Sequence, residues 1–433
     1  MTTDHTPDQS GRGDDVPAAE SKETAAVGVG DSDDADEGRD AYHPGGFHPV
    51  YIGDVYAEKY EVMRKIGYGR YSTVWMVKDL SKPRSNHEHR FRALKVLSAE
   101  CYGADQPVFE REILKHLRAS NQDLPGHKYI CHLVDDFKHK GPNGTHVCLV
   151  FELMGETLST FGTYFRECLI PTPVMRKFSA QLILALHFAH ASNVIHTDIK
   201  QDNIFIKFQD TSRIESEFLV NYPAPEQDRT EARYTPISSR PLIGYYTTVD
   251  PRSDPTFRLF GLFNIALGDW GVSSWADKHL TENIQPVALR APEVLVKAPW
   301  TTTADWWNLG ALIIEVYRAV RLFSGMVPPD GHYELREHLA EIVDHFGPFP
   351  KELLAQGDGE LVKSMFDDEG RIKGVKSSGV PPLEDEVWWS GLAQNEVDLF
   401  LSFLRCMMKV NPADRVPAEE LVQHSWISKN LNR

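Results

Sequence analysis

Asp198, Lys200 and Asn203 stand in one ten-residue run, Ile195-His196-Thr197-Asp198-Ile199-Lys200-Gln201-Asp202-Asn203-Ile204, and Gly268-Asp269-Trp270-Gly271 follows downstream. An Asp with a Lys two positions on and an Asn five positions on brings a proton acceptor, a cation and an amide oxygen to a single short loop. A second Asp, held before a glycine, adds another hard oxygen ligand. That set suits phosphoryl transfer. Asp198 would accept the proton of an attacking hydroxyl, Lys200 would neutralise charge on the group in transit, and Asn203 with Asp269 would hold Mg2+. His196 is expected to be a packed side chain rather than a second acid.

Phosphate chemistry also needs a cradle. Gly67-Tyr68-Gly69-Arg70-Tyr71-Ser72-Thr73-Val74 lies between two predicted strands. Its glycines let the backbone approach phosphate oxygens without a Cβ in the way. Ala93-Leu94-Lys95 follows on the next predicted strand, so Lys95 can reach the same phosphates. A lysine among apolar neighbours needs a counter-charge. Glu110 on the following helix is the first choice and Glu112 the fallback. Further on, Glu293 of Ala291-Pro292-Glu293 needs a buried partner, for which Arg415 is the candidate. Asp305, opening a helix before Trp306-Trp307, is read as an anchor for the backbone of the 196–203 loop.

These groups must be carried by a scaffold. Tyr60–Ile66, Thr73–Leu80, Phe91–Leu97 and His146–Phe151 are rich in β-branched and aromatic residues and read as strands. Asp105-Gln106-Pro107 reads as a helix start, with Phe109, Ile113, Leu114 and Leu117 on its apolar face. Past Gly155 the pattern turns helical, at 176–190, 306–320, 332–345, 395–408 and 418–426. A small sheet with one helix, followed by a helical region, is an α+β fold of two lobes, 60–153 and 154–427. Residues 1–41 form an acidic tail expected to be disordered, and 42–59 an ordered lead-in. The proline-rich stretch 207–262 lacks periodicity and reads either as a surface excursion or as a regulatory spacer.

The bulk numbers exclude several function classes. The chain has 433 residues, with 41% hydrophobic and 25% charged, as an ordinary soluble globular protein has. A net charge of −16 argues against direct nucleic-acid binding; it fits either plain solubility or attraction of basic substrates. The five scattered cysteines include no CxxC pair and read as reduced thiols of an intracellular protein. The uncharged stretch 178–196 has helical apolar spacing with polar residues interspersed, so no membrane span is expected.

Over residues 60–427 the chain resembles the eukaryotic protein kinase superfamily. His196-Thr197-Asp198, Lys278-His279-Leu280-Thr281-Glu282-Asn283-Ile284-Gln285, Val150-Phe151-Glu152-Leu153-Met154-Gly155 and Gly46-Phe47-His48-Pro49-Val50-Tyr51-Ile52-Gly53-Asp54 look like the SR-protein kinase (SRPK) family of the CMGC group. The resemblance implies ATP-dependent phosphorylation of Ser in basic, Arg/Ser-rich proteins of mRNA processing. It also reads 207–262 as a family spacer; a monomer is expected, and the cysteine pattern fits both cytoplasm and nucleus. It implies a nucleotide site of Ile66, Gly67, Tyr68, Gly69, Ser72, Val74, Ala93, Lys95, Phe151, Glu152, Met154 and Phe205. Phe151 would be gatekeeper, and Glu152 and Met154 would offer hinge backbone to adenine. Arg290 would lie near the substrate's following position, and 325–390 sits where the family has a docking region, although it mixes the acids Glu334, Glu337, Glu341 and Asp344 with Arg336, Lys351 and Lys363.

The sequence departs from that family in reading Asp269-Trp270-Gly271 for Asp-Leu-Gly, and Leu289-Arg290-Ala291-Pro292 for Tyr-Arg-Ser-Leu. Thr197 replaces the arginine that in most kinases pairs with a phosphorylated activation loop, so activity is expected without that modification. The alternatives are a CMGC-like kinase with other substrates and, from another class, a pseudokinase scaffold.

Overall fold

β-branched and aromatic residues alternate with polar ones through the first third of the chain, and they form a six-stranded antiparallel sheet. Its strands are β1 (Val55–Tyr56), β2 (Tyr60–Gly69), β3 (Ser72–Asp79), β4 (Phe91–Leu97), β5 (Leu133–Gly141) and β6 (Gly144–Glu152), in the order β1-β2-β3-β4-β6-β5. This computed structural model describes residues 36–83, 90–102, 109–231, 233–247, 263–327, 331–375 and 377–428. The acidic run up to residue 35, the helix start at Asp105-Gln106-Pro107 and residues 248–262 of the insertion lie outside the described residues.

Helix α1 (Glu110–Ala119) packs Ile113, Leu114 and Leu117 beneath the sheet. Acidic residues in its first turn and His116 and Arg118 in its last suit the helix dipole. Beyond the hinge come β7 (Met154–Thr157), α2 (Thr172–Ala191), β8 (Val194–Ile195), β9 (Ile204–Lys207), β10 (Ile265–Leu267) and β11 (Ser274–Trp275). Two small antiparallel sheets, β10-β9-β7 and β11-β8, flank the 196–203 loop and fix both its ends. Helices α3 (Thr303–Arg318), α4 (Leu335–Phe346) and α5 (Gln394–Met407) complete the larger lobe. α2 and α3 are buried on nearly every side, as helices through the middle of a core must be.

Several boundaries differ from the sequence reading. β5 was not anticipated; it is an edge strand whose charged residues hide its period. The helix expected from residue 332 starts at Leu335, because His332–Tyr333 pairs as a short strand with Met326–Val327. The 418–426 stretch is two short helices, Ala418–Leu421 and Ser425–Ser428. Order begins before Tyr42: Arg39–Ala41 forms a helical turn, and the Glu37 carboxylate pairs with buried Lys65.

The described residues of 207–247 are no free excursion. Ile214, Phe218, Leu242 and Tyr245 form an apolar cluster with Met76 and Phe91 of the small lobe and Leu153 of the hinge. Ile237 joins the cluster on the sheet's outer face. The insertion is held to the larger lobe as well, where the Glu156 carboxylate accepts from the Gly244 N–H at 2.9 Å and the Tyr246 hydroxyl at 3.1 Å.

Glu293 and Arg415 meet as expected, in a bidentate pair at 2.6 and 2.7 Å with both side chains fully buried. Removing either member leaves one charge desolvated and unpaired. Arg415→Met is expected to lower unfolding free energy by about 3–5 kcal/mol in urea titration. A pH effect follows from the packed rings of His48, His139 and His146, with centroids of the first 4.6 and 4.9 Å from the others. Burial, with the neighbouring rings adding, pushes the His48 pKa down to about 3, and burial lowers the other two. Their folded pKa values lie below the unfolded value, so the neutral cluster is fully favourable above about pH 6.5. Stability then falls as the unfolded chain takes up protons, by at most about 1.4 kcal/mol per pH unit per ring. Urea midpoints are expected to drop between pH 7.5 and 5, and His48→Gln to flatten that slope.

Candidate active site

The cleft beneath the glycine-rich turn is a cavity of about 440 Å³. All twelve residues assigned to a nucleotide site from the sequence line it, together with Glu110, Asn203 and Asp269. Gly67 and Gly69 form the roof at the end of β2. A Cβ on Gly67 would meet nothing within 4 Å, so the backbone there borders open space of the kind a phosphate fills. Ala93 and Lys95 come from β4, Phe151 and Glu152 from the end of β6, Met154 from β7 and Phe205 from β9.

Lys95 is in register opposite Val74 and Leu149, so two neighbouring strands hold it at the back of the cleft. Its ammonium donates to Glu110 Oε1 at 2.7 Å and to Asp269 Oδ1 at 3.2 Å. Burial alone would lower its pKa, but the charges of Asp269 and Glu110 outweigh that and hold it above the ordinary lysine value. The same ammonium charge keeps the Asp269 pKa below the usual carboxylate value against burial. Glu110 is thus the partner, while the fallback Glu112 is exposed, at 3.5 Å from the Tyr102 hydroxyl.

Asp198 lies beside the cavity, within a small polar net. Its Oδ2 accepts from Lys200 Nζ at 2.8 Å and from Asn203 Nδ2 at 2.9 Å. Asn203 Nδ2 also donates to the Asp198 carbonyl at 2.8 Å, which leaves Asn203 Oδ1 as the atom able to meet a cation. With the Asp269 carboxylate, this makes a donor set of hard oxygens, which fits a hard divalent ion arriving with phosphates.

The loop is held from behind by Asp305, which is fully buried at the start of α3. Its two oxygens accept from the N–H groups of His196 (2.9 Å) and Thr197 (3.0 Å), and His190 Nε2 donates to it at 2.9 Å. Burial alone would raise its pKa, but the His190 hydrogen bond and neighbouring histidine charges outweigh that and keep it below the ordinary value. Asn308, one turn along the helix, exchanges two bonds with Ile199. Thr197 accordingly takes a left-handed φ of 65°, and its hydroxyl donates to the Val272 carbonyl at 2.8 Å. His196 is buried, donates through Nε2 to the Gly268 carbonyl at 2.9 Å, and packs edge-on against Trp270 with centroids 4.7 Å apart. It is a structural side chain, and Trp270 fills the space behind Asp269.

Sequence reasoning missed several lining residues. Cys131 sits just before the unread strand β5. Pro241 and Leu242 come from the insertion and form an outer wall that no local signal marks. The docking reading of 325–390 needs correction in part. Glu341 is buried and caps the N–H groups of Ser324 and Gly325, and Asp344 accepts from Ser377 and Ser378. Of the four acids named for a groove, Glu334 and Glu337 remain available to solvent. Arg290 directs its Nε to the carbonyls of Ile284 and Gln285, at 3.1 and 3.2 Å.

A two-lobed fold whose cleft joins a glycine turn, a paired lysine and an Asp-Asn-Asp set defines a protein kinase. The protein kinase domain family matches residues 60–215 and 261–427, and the chain belongs to that family. Its relatives are of the SR-protein-kinase type. A serine/threonine protein kinase of Aspergillus fumigatus is 32% identical over 388 residues, 89% of each chain. The serine/threonine-protein kinase SRPK of Physarum polycephalum is 26% identical over 403 residues, 92% of each. SRSF protein kinase 3 of Mus musculus is 24% identical over 531 aligned positions, 92% of each. The crystal structure of the PF14_0431 kinase domain shares the fold, with a TM-score of 0.61 at 19% identity, over 87% of this chain and 98% of that one. The chain is therefore a serine/threonine protein kinase of SRPK type, using ATP and protein substrates, with a divalent metal.

Two substitutions separate chemistry from binding. Asp198→Ala is expected to lower kcat by about 10²–10⁴ in a phosphate-transfer assay while nucleotide affinity holds, because Asp198 does not line the cavity. Lys95→Met removes a lining charge and is expected to weaken nucleotide binding and rate together, in equilibrium titration and steady-state kinetics.

Proposed function

We propose that this kinase transfers the γ-phosphoryl group of ATP to serine hydroxyls in basic, Arg/Ser-rich proteins of mRNA processing. The observation that carries the reading is the Lys95 ammonium shared between Glu110 and Asp269, beside the Asp198–Lys200–Asn203 net. Kinase activity requires the lysine–glutamate pair and the metal-binding Asp to be in place at once.

In this reading the chain's residues divide the work. Gly67 and Gly69 admit the phosphates, and Lys95 orients them. Phe205, Val74 and Ala93 enclose the adenine, with Glu152 and Met154 at the hinge. Asp198 takes the serine hydroxyl proton at its carboxylate, and Lys200 offsets charge on the phosphoryl oxygens. Asn203 and Asp269 would hold Mg2+, which when bound draws charge from the phosphates. The excess of acids over bases, 62 against 46, supports recruitment of cationic substrates. The printed name of the mouse relative points the same way. We assign the kinase to cytoplasm and nucleus, as a monomer; the scattered, unpaired cysteines support an intracellular setting.

The activation segment, which runs from Asp269 to Glu293, supports activity without phosphorylation. The neutral side chain of Gln285 donates to the Ala304 carbonyl and accepts from the Ala291 N–H, and its backbone N–H donates to Thr197 O, at 2.8–2.9 Å. An amide thus fills a tethering role that elsewhere falls to a phosphate and an arginine.

Purified enzyme with ATP and Mg2+ is expected to phosphorylate an Arg/Ser repeat peptide at least about tenfold more efficiently than a Ser-Pro peptide, in kcat/KM. Equal rates would favour a CMGC-like kinase of other specificity, and transfer to neither would favour a scaffold. Bacterially made, phosphatase-treated enzyme is expected to keep its rate; a collapse that rephosphorylation reverses would discard the phosphorylation-independent reading.

A further inference from the structure

Three stretches distant in the chain converge on the outer face of β2, just before the glycine-rich turn. Lys65 is fully buried there, although Ile66 and Gly67 beside it line the cavity. Its ammonium pairs with the Glu37 carboxylate and donates to the Ile237 carbonyl at 3.0 Å. It also lies 5.2 Å from the ring centroid of Tyr68, the middle residue of Gly67-Tyr68-Gly69. The second oxygen of Glu37 accepts from the Tyr42 hydroxyl, and the Tyr42 ring rests 4.4 Å from that of Tyr234.

The N-terminal arm, residues 36–54, and the insertion are tied to one another as well. The Tyr234 hydroxyl donates to the Val50 carbonyl at 2.7 Å, and Gln227 Oε1 accepts from the Ile52 N–H at 2.8 Å. The backbone of β2 is gripped directly. The Arg240 N–H donates to Lys65 O at 2.9 Å, and the Arg64 guanidinium donates to Pro223 O at 2.7 Å. Residues 36–54 and 223–240 both lie outside the two segments that match the protein kinase domain.

We propose that Glu37 and Lys65 form a latch through which the N-terminal arm and the insertion fix the glycine-rich turn above the nucleotide phosphates. Both are positioning residues, since neither lines the cavity. The proposal rests on reading that cavity as the nucleotide site. A lysine ammonium enclosed with one carboxylate stays put while the pair is intact. Without Glu37 it must lose its proton or move toward water, and β2 moves with it. A turn so loosened holds phosphates out of line, and a displacement of about 1 Å can lower rate by about 10².

The test uses the full-length chain carrying Glu37→Gln, Lys65→Met, both together, or Lys65→Arg. Binding of a fluorescent ATP analogue, steady-state kinetics and hydrogen exchange at residues 64–69 are measured on each. Each single neutral variant is expected to raise the analogue Kd and the KM for ATP about tenfold, leaving the KM for peptide unchanged. The double variant is expected to be no worse than either single one, and Lys65→Arg to retain most of the affinity. Exchange at 64–69 is expected to quicken in Glu37→Gln. Wild-type nucleotide affinity in folded Glu37→Gln, or single effects that multiply in the double variant, would overturn the latch. Should Lys65→Met not fold, Glu37→Gln decides alone. If the unaltered protein binds no nucleotide analogue, the nucleotide reading itself fails. The latch is then judged on exchange, and unchanged protection at 64–69 in Glu37→Gln would sink it.

Discussion

The shared ammonium of Lys95 is the interaction on which the rest of the site depends. It joins a strand of the small lobe, a helix beneath that strand and the Asp269 turn of the larger lobe. Three charges in a half-enclosed cleft are tolerable together and unfavourable singly. The pair Lys95–Glu110 therefore fixes where α1 can lie, and Asp269 fixes how the lobes meet. The sheet supplies the lysine at a set register, and the α2–α3 core supplies a rigid floor for the loop that carries Asp198.

A second constraint works from below. Asp305 holds two successive backbone N–H groups of the loop, and that geometry drives Thr197 into a left-handed conformation. Strain of this kind persists only where the surroundings over-determine it, as the Val272 and Gln285 contacts do here. The loop and the activation segment are therefore one mechanical unit. The buried Glu293–Arg415 pair anchors its far end to residues near the end of the domain.

The grouping of Asp198, Lys200 and Asn203 in one polar net was legible in the sequence, because phosphoryl chemistry asks for those residue types at that spacing on one loop. The four strands read as strands had clear β-branched runs. β5 did not, because Asp135, Asp136, Lys138 and Lys140 give an edge strand the look of a loop. Glu37 vanished into an acidic composition that describes its neighbours, since a windowed average cannot tell which carboxylate meets a buried lysine. Glu341 and Asp344 counted as groove acids for a similar reason; whether an acid faces solvent or caps a backbone N–H is decided by tertiary docking. Pro241 and Leu242 reach the cavity only because residues 207–247 fold back across both lobes.

That returning wall bears on selectivity between enzymes. Pro241 and Leu242 fall in the gap between the two segments that match the protein kinase domain, so they are not part of the common cleft. A competitive inhibitor whose outer edge rests on Pro241, backed by the buried Leu242, gains apolar contact that a cleft lacking the insertion does not offer. Medicinal chemistry aimed at this face could separate the enzyme from kinases that share its hinge and its charged groups.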